Sequence, residues 1–413
     1  MATPKGLDAP LPADAAGLLR LALARDPALQ AAKASLRAAE AGAKAARNRP
    51  PMTLTLTGEY SKEADAQRPW LYSGALDVPL DLGGRRTARV TTADIAVIKA
   101  RYAVGDAVWT VRQTVRQSLT DLATSRAAIA TDQHLLDLRT AYARLIEKRA
   151  AAGEDTRPMA LQARLDASAL VDNLLQAQAR QAQARASLAR ILDVSPDALD
   201  ELPDMALSPI APGDLDPLTG RAFYIRQDVL NAVADYDSAE NDLRAAVAGQ
   251  YPDISLSPGY TWERGVAKLP LVGTFTLPPL DGNRANIRQA EAARAAAGKT
   301  LEDQVKTVRA NIIQASVAYD SDRRLAEKTR ASDLPLAQEM AARTERMKQA
   351  GESDQTEVLA AQIALAQSQL AVRTAEETAL NDRLKLEDAL HQSLDPAETA
   401  QLAAAAQAQE VTH

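Results

Sequence analysis

The side chains that most often carry chemistry are scarce in this sequence. It has no cysteine, and its three histidines, His134, His391 and His413, stand far apart. No two of them have the spacing of a metal site, so no metal ligand is assigned. Thiol chemistry and disulfides are excluded, which by itself fixes no compartment. The pair Gly83–Gly84 reads as a turn and not as a phosphate-binding loop. A net charge of −6 argues against nucleic acid as a partner. No catalytic residue and no cofactor are expected, so any work the protein takes part in must draw its energy from elsewhere.

What the sequence does repeat is a joint. PLDLGGRRTARV, starting at Pro79, returns as PPLDGNRANIRQA from Pro278, with Gly83 matching Gly282 and Arg85 matching Arg284. Three more landmarks recur in the same order at offsets of 197 to 201: ARDPALQAA with IRQDVLNAV, VWTVRQTVRQ with VKTVRANIIQ, and AAGEDT with QAGESD. Ordered landmarks with small drifts indicate an internal duplication.

Each half then reads the same way. A helical pattern ends at Asn48–Pro51, and the text turns to strict alternation in MTLTLTGEY. Leu54, Leu56 and Tyr60 fall on one face, with Thr53, Thr55 and Thr57 on the other. A second strand follows, with Trp70, Tyr72, Leu76 and Val78 on one face. In the second half Ile254, Leu256, Tyr260 and Trp262 oppose Ser255, Ser257 and Thr261, and Phe275 lies on the apolar side of the fourth strand, read at 269–277. After each strand pair comes a long helix, and in the first half its Val108, Val111, Val115, Leu119 and Leu122 step by threes and fours like a coiled-coil seam. It runs roughly 100 Å to a glycine turn at Gly153, and the second long helix, read as continuous to about 350, turns at Gly351. The scarcity of large apolar side chains and the abundance of alanine suit close helix packing rather than one thick core. No run approaches a transmembrane helix. The start, MATPKGLDAP, lacks the apolar core of a signal peptide and reads as cytosolic or as a mature chain whose leader has been removed.

Four alternating strands of this length suit a tilted crossing of a bilayer, apolar side to lipid. The aromatic residues gathered in them match an interfacial belt. Four strands cannot close a barrel, and open edges cannot face lipid, so copies of the chain must share one.

In these motifs, doubled and in this order over nearly its whole length, the chain resembles the TolC-like outer-membrane efflux proteins. The resemblance implies a mainly α fold with a small β part: an internally duplicated TolC-like fold, trimeric, with a twelve-stranded barrel in the outer membrane and a twelve-helix α-barrel extending into the periplasm. The expected parts are an equatorial helix at 1–51, a barrel hairpin at 52–80, a long helical hairpin at 81–193, a connector at 194–217, a second equatorial helix at 218–251, a second barrel hairpin at 252–279, a second helical hairpin at 280–392, and a flexible tail at 393–413. Pro79 and Pro278 are expected to end sheet pairing, while Gly83, Gly84 and Gly282 turn strand into helix. Leu54, Leu56, Tyr60, Trp70, Tyr72, Ile254, Leu256, Tyr260, Trp262 and Phe275 are expected to face lipid. The resemblance assigns docking of a periplasmic adaptor, a membrane fusion protein, to Gly153, Glu154, Thr156, Gly351 and Glu352 at the hairpin tips. It assigns a periplasmic gate to Glu357 and Asp354; Met159 stands at the equivalent of Glu357 in the first half, and Ala360 replaces a frequent acid.

The implied function is passive conduction from an inner-membrane pump, through the adaptor, to the outside. The moderate length and compact loops resemble the cobalt–zinc–cadmium exporter branch; drug export by pumps of the resistance–nodulation–division class and type I protein secretion stay open. A soluble periplasmic coiled-coil scaffold is the rival from another class, and an enzyme with a pocket formed on trimerisation is a third. Many relatives carry an N-terminal lipidated cysteine, which this sequence lacks.

Overall fold

A computed structural model describes residues 11–60, 62, 70–80, 84–200, 202–203, 215–263, 265–277, 279–395 and 398. Gly83 and Pro278, two of the expected joint residues, lie outside these. The chain divides into two compact units, one of residues 31–105 and 227–306, the other of residues 1–30, 106–226 and 307–413.

The first unit holds the sheet. Its strands are β1 (Thr53–Tyr60), β2 (Trp70–Leu80), β3 (Asp253–Glu263), β4 (Val266–Lys268) and β5 (Leu271–Thr276), all pairing antiparallel. β1 pairs only with β2, β2 with β3, and β3 with both β4 and β5. Both outer edges are therefore open among the described residues. Two details correct the sequence reading. The fourth strand is split: Thr261 faces Lys268 and Pro258 faces Leu271, so β4 and β5 share one register on either side of Leu269–Pro270. Pro270 has no N–H to give and accepts from the Gly259 N–H at 2.8 Å. Nor does Pro79 end the pairing, for it lies opposite Ser255, and Leu80 opposite Ile254. Because Gly259 bonds toward Pro270, alternation turns the nitrogen of Pro79 toward the β1 side. There β1 starts only at Thr53, opposite Asp77, so no ladder bond is lost.

Four helix ends gather at the foot of this sheet: those of α2 (Pro27–Ala46) and α6 (Gln227–Ala248), and the starts of α3 (Arg85–Ala151) and α7 (Arg284–Lys328). Gly84 (φ +85°), Gly282 (φ +66°) and Asn283 (φ +62°) make the turns into α3 and α7 in the left-handed region that favours glycine and asparagine. The Asn283 amide donates to the Ala246 carbonyl at 2.7 Å and that of Asn241 to the Ala88 carbonyl at 3.0 Å, fastening α7 to α6 and α6 to α3.

The second unit is helical. It contains α1 (Ala15–Arg25), the far part of α3, α4 (Arg157–Leu192), α5 (Asp216–Ile225), the far part of α7, α8 (Leu334–Gln349) and α9 (Gln355–Leu390). The helical pattern that ends at Asn48–Pro51 is in fact broken after Arg25: the Asp26 carboxylate accepts from the Leu29 N–H at 2.8 Å, and Pro27 opens α2. The second half breaks at the matching place, where Arg226 separates α5 from α6. The second long helix is interrupted too. Residues Thr329–Asp333 form a π-helical turn before Pro335, whose ring cannot fit against an ordinary preceding turn. Alanine does pack these helices: Ala177 and Ala379 are fully buried, as are Leu188 and Leu386.

The C-terminal segment also departs from expectation. Ser393 and Glu398 are buried, and the Glu398 carboxylate pairs with Arg112 at 2.8 Å and Arg116 at 2.8 Å. Ser393 and Glu398 are thus held in place, the latter by two guanidiniums of α3.

Candidate functional site

The sheet's register sorts its side chains completely. Leu54 faces Leu76, Tyr60 faces Trp70, Tyr72 faces Trp262, Val78 faces Leu256, and Ile254 faces Phe275. Directly opposed residues share a face, so the ten residues expected to meet lipid lie on one side of one sheet. All but Ile254 are exposed in the single chain, Leu56 by 74 %. At the hairpin end, Trp70 packs edge-on to Tyr60 and stacks on Tyr72, with ring centroids 5.0 and 5.8 Å apart. The opposite face carries Thr53 with Asp77, Thr57 with Ser73, and Ser255 with Thr274. Ser257 donates to Asp77 there at 2.6 Å. A continuous apolar face without a covering layer is the reverse of a water-soluble sheet.

The two hairpin tips lie in the helical unit. Gly153 (φ +82°) and Gly351 (φ +75°) end α3 and α8 in the left-handed conformation, where glycine has no Cβ to strain. Thr156 stands at the N-cap of α4 without a side-chain capping bond. Asp354 caps α9, accepting from the Glu357 N–H at 2.9 Å. That bond, with others from Thr356 and the charge of Arg149, holds the Asp354 carboxyl below its ordinary range although burial opposes it. Glu357 is exposed and takes a hydrogen bond from the Ser353 hydroxyl. Glu154 and Glu352 are exposed, as is Met159.

Arg149, in the last turn of α3, was missed by the sequence reading. It reaches Asp155 at 2.7 Å, Glu154 at 3.7 Å and Asp354 at 3.2 Å, so it joins the two tips. Its only sequence signal is a basic residue near a helix C-terminus, which is common for dipole reasons alone. Asp354→Asn is expected to loosen the Arg149 bridge while keeping much of the cap. Hydrogen exchange should then rise at both tips, whereas a change confined to α9 would show that the bridge carries nothing between them.

A one-sided apolar sheet with two open edges, in a chain built of long paired helices, defines a protomer of an outer-membrane channel. Among the described residues no helix is long and apolar enough to cross a membrane. The chain belongs to the outer membrane efflux protein family, which it matches over residues 18–193 and 220–392. It is similar to the cobalt-zinc-cadmium resistance protein CzcC of Cupriavidus metallidurans, with 26% identity over 385 residues, covering 89% of this chain and 87% of CzcC. Its fold is that of the outer membrane protein VceC of Vibrio cholerae, with TM-score 0.73 and 21% identity, covering 92% of this chain and 97% of VceC. It matches a membrane protein from Pseudomonas aeruginosa equally well, with TM-score 0.74 and 23% identity over 94% of this chain and 97% of that one. The protein is thus an outer-membrane efflux component with a TolC-like fold.

Proposed function

We propose that the chain forms a homotrimer whose three sheets close one twelve-stranded barrel, and that this trimer is the passive exit duct of a heavy-metal efflux system. The observation that carries the assembly is the pair of open sheet edges flanking an all-apolar face. An open edge is not tolerated in lipid, and edge-to-edge closure with identical copies satisfies it. In this reading 52–80 and 252–279 are the barrel hairpins, 81–193 and 280–392 the periplasmic hairpins, and 1–51 and 218–251 the equatorial helices. The likeness to a cobalt-zinc-cadmium resistance protein supports a metal-exporting pump over a drug pump. The pump, in the inner membrane, would choose the ion and supply the energy; a periplasmic adaptor would dock on the tips around Gly153, Glu154, Thr156, Gly351 and Glu352. We assign the duct no cofactor and no catalytic step.

Expressed behind a signal sequence, the protein should fractionate with outer membranes, need detergent, and run as a trimer. A soluble monomer would instead be the coiled-coil scaffold. In a host lacking its own exit duct but carrying the cognate pump and adaptor, it should restore resistance to cobalt, zinc or cadmium. Restoration of drug resistance alone would overturn the metal assignment.

Glu357 and Asp354 are the gate in this reading. Threefold symmetry would set three of each carboxylate around the axis, attracting cations in a narrow mouth. The cap geometry gives Asp354 a second, structural duty, so Glu357 is the cleaner test. Single-channel recording of Glu357→Gln is expected to show weaker cation selectivity and weaker block by divalent ions from the periplasmic side. Unaltered block in both Glu357→Gln and Asp354→Asn would place the gate elsewhere.

A further inference from the structure

At the foot of the sheet most guanidiniums have a partner: Arg86 bonds the Arg47 carbonyl at 3.0 Å and Arg89 the Ala46 carbonyl at 3.3 Å. Arg85 pairs with Asp253, Arg47 with Asp94 at 2.7 Å, and Arg294 with Glu240 at 2.5 Å. Three do not: the side chains of Arg49, Arg284 and Arg288 are exposed and make no hydrogen bond or ion pair among the described residues. Asp281, three residues before Arg284, is occupied, for its carboxylate accepts from the Asn283 N–H at 3.0 Å and the Ala285 N–H at 3.3 Å, while Glu291, three residues after Arg288, is exposed and makes no ion pair with it.

Their position relative to the apolar face is the second observation. Phe275 lies on that face opposite Ile254, and alternation keeps Leu277 on the same side, 79 % exposed. Leu280 is fully exposed just beyond it. Arg284 and Arg288 then stand one turn apart in the first two turns of α7. Arg294 marks the side of α7 that meets α6, bonding the Tyr236 hydroxyl at 3.0 Å. At about 100° per residue, Arg284 and Arg288 point away from that side by roughly a quarter to a third of a turn. Arg49 stands just before β1, which is one open edge of the sheet, while α7 follows β5, the other.

We infer that the foot of the apolar face is a docking surface for the phosphate headgroups of anionic phospholipid, held between Arg284 and Arg288 of one copy and Arg49 of the next. The inference rests on the membrane-embedded, ring-closed assembly proposed above, since closing the ring brings the two open edges together. A planar guanidinium matches a phosphate with two parallel hydrogen bonds, and it is more weakly hydrated than an ammonium. Cations that adjoin an apolar band sit at headgroup level when the band is in the acyl region. A free phosphate ion would gain nothing from Leu277 and Leu280; a phospholipid places its chains against them and its charge on the arginines.

The test uses the full-length protein purified in detergent and offered vesicles of phosphatidylcholine alone or mixed with phosphatidylglycerol, with retained lipid counted by native mass spectrometry. The wild type should retain phosphatidylglycerol in preference. Each arginine neutralised in the series Arg49→Gln, Arg284→Gln, Arg288→Gln should lower that retention about five-fold, corresponding to about 1 kcal/mol for each cation near an anionic surface. The lysine variants should keep part of it, and trimer content and helical signal should stay unchanged throughout. Equal retention of both lipids by the wild type, or undiminished retention by the triple variant, overturns the inference. Full displacement by inorganic phosphate would make the site one for a free anion and also overturn it. A chain that inserts into neither vesicle would overturn the membrane-embedded reading itself, which a folded trimer with no lipid preference would leave standing.

Discussion

Arg112→Met should cost about 3–5 kcal/mol, the loss typical of stranding one partner of a buried ion pair. Arg112 on α3 is fully buried, and it bonds both Glu387 of α9 and Glu398 beyond that helix. Glu387 in turn takes the guanidinium of Arg383 at 3.0 Å and the Leu394 N–H at 3.1 Å. Ser393 donates to Glu398 at 2.7 Å, and the Trp109 ring lies 4.9 Å under the Arg112 guanidinium. Removing that guanidinium leaves Glu387 with Arg383 and Glu398 with Arg116, each buried carboxylate short of one charged partner. Burial lowers the pKa of Arg112, but the two carboxylates outweigh it and hold it above the ordinary value. Burial likewise raises Glu398, yet hydrogen bonds and charge from Arg112 and Arg116 outweigh it and bring the carboxyl down to about 2. The sign follows: a carboxylate depressed from its ordinary 4.5 to about 2 in the folded state stabilises fully above the upper value and loses its contribution as pH falls through the lower one. Denaturant unfolding in that acid window should therefore weaken faster for the wild type than for Glu398→Gln. The double variant Arg112→Met with Glu387→Met should be less damaged than the two single costs added, since neither charge is then stranded. If Arg112→Met shifts unfolding by less than about 1 kcal/mol, the network is hydrated and the segment to Glu398 is held by something else.

None of this network was legible in the sequence, although Arg112 stood inside a repeated landmark, VWTVRQ against VKTVRA. The seam pattern of Val111, Val115 and Leu119 named the packed side of α3 correctly. Nothing in that local pattern distinguishes Arg112, a neighbour of the seam, from a solvated charge. Its partners come from positions some 275 and 286 residues further on, and no local rule can pair side chains at such separations. For the same reason Arg149 was missed, since its partner Asp354 lies across two hairpins. Strand faces, by contrast, are written locally: period two survives into the register because a slip by one residue would turn every side chain over. Duplication was legible because it repeats short signals, and the matching helix breaks at Asp26 and Arg226 fall where the paired landmarks ARDPALQAA and IRQDVLNAV stand. What alternation could not foresee was a local interruption such as Pro270, or the wider turn before Pro335. Each depends on how one missing N–H is accommodated by its neighbours.

The period-two reading also supplies the second large effect. Leu256→Arg should cost about 2–4 kcal/mol if the residue meets the middle of a bilayer, whereas Ser255→Arg, one residue earlier, should be tolerated. Leu256 lies opposite Val78 on one side and Gly273 on the other, inside the sheet rather than at an edge, and so cannot escape by fraying. Its face holds only apolar and aromatic neighbours, so an arginine there finds no counter-charge and has to be dragged through hydrocarbon or snorkel to an interface. Ser255 faces Pro79 and Thr274 on the polar side, near Ser257 and Asp77. An arginine placed there joins water, and an acid already on that face lowers its cost further. The expected readouts differ in kind. Leu256→Arg should lower the yield of folded trimer recovered from membranes and the urea concentration that trimer withstands. Ser255→Arg should leave both intact but reduce single-channel conductance, since three added positive charges would line one lumen. A soluble four-stranded layer would respond otherwise: Arg at the exposed Leu256 would cost little, and Ser255 would be the more sensitive if its face were the covered one. Equal tolerance at both positions, with conductance unchanged, would remove the barrel from the architecture; loss of folded trimer at Leu256 alone requires that its face meet lipid.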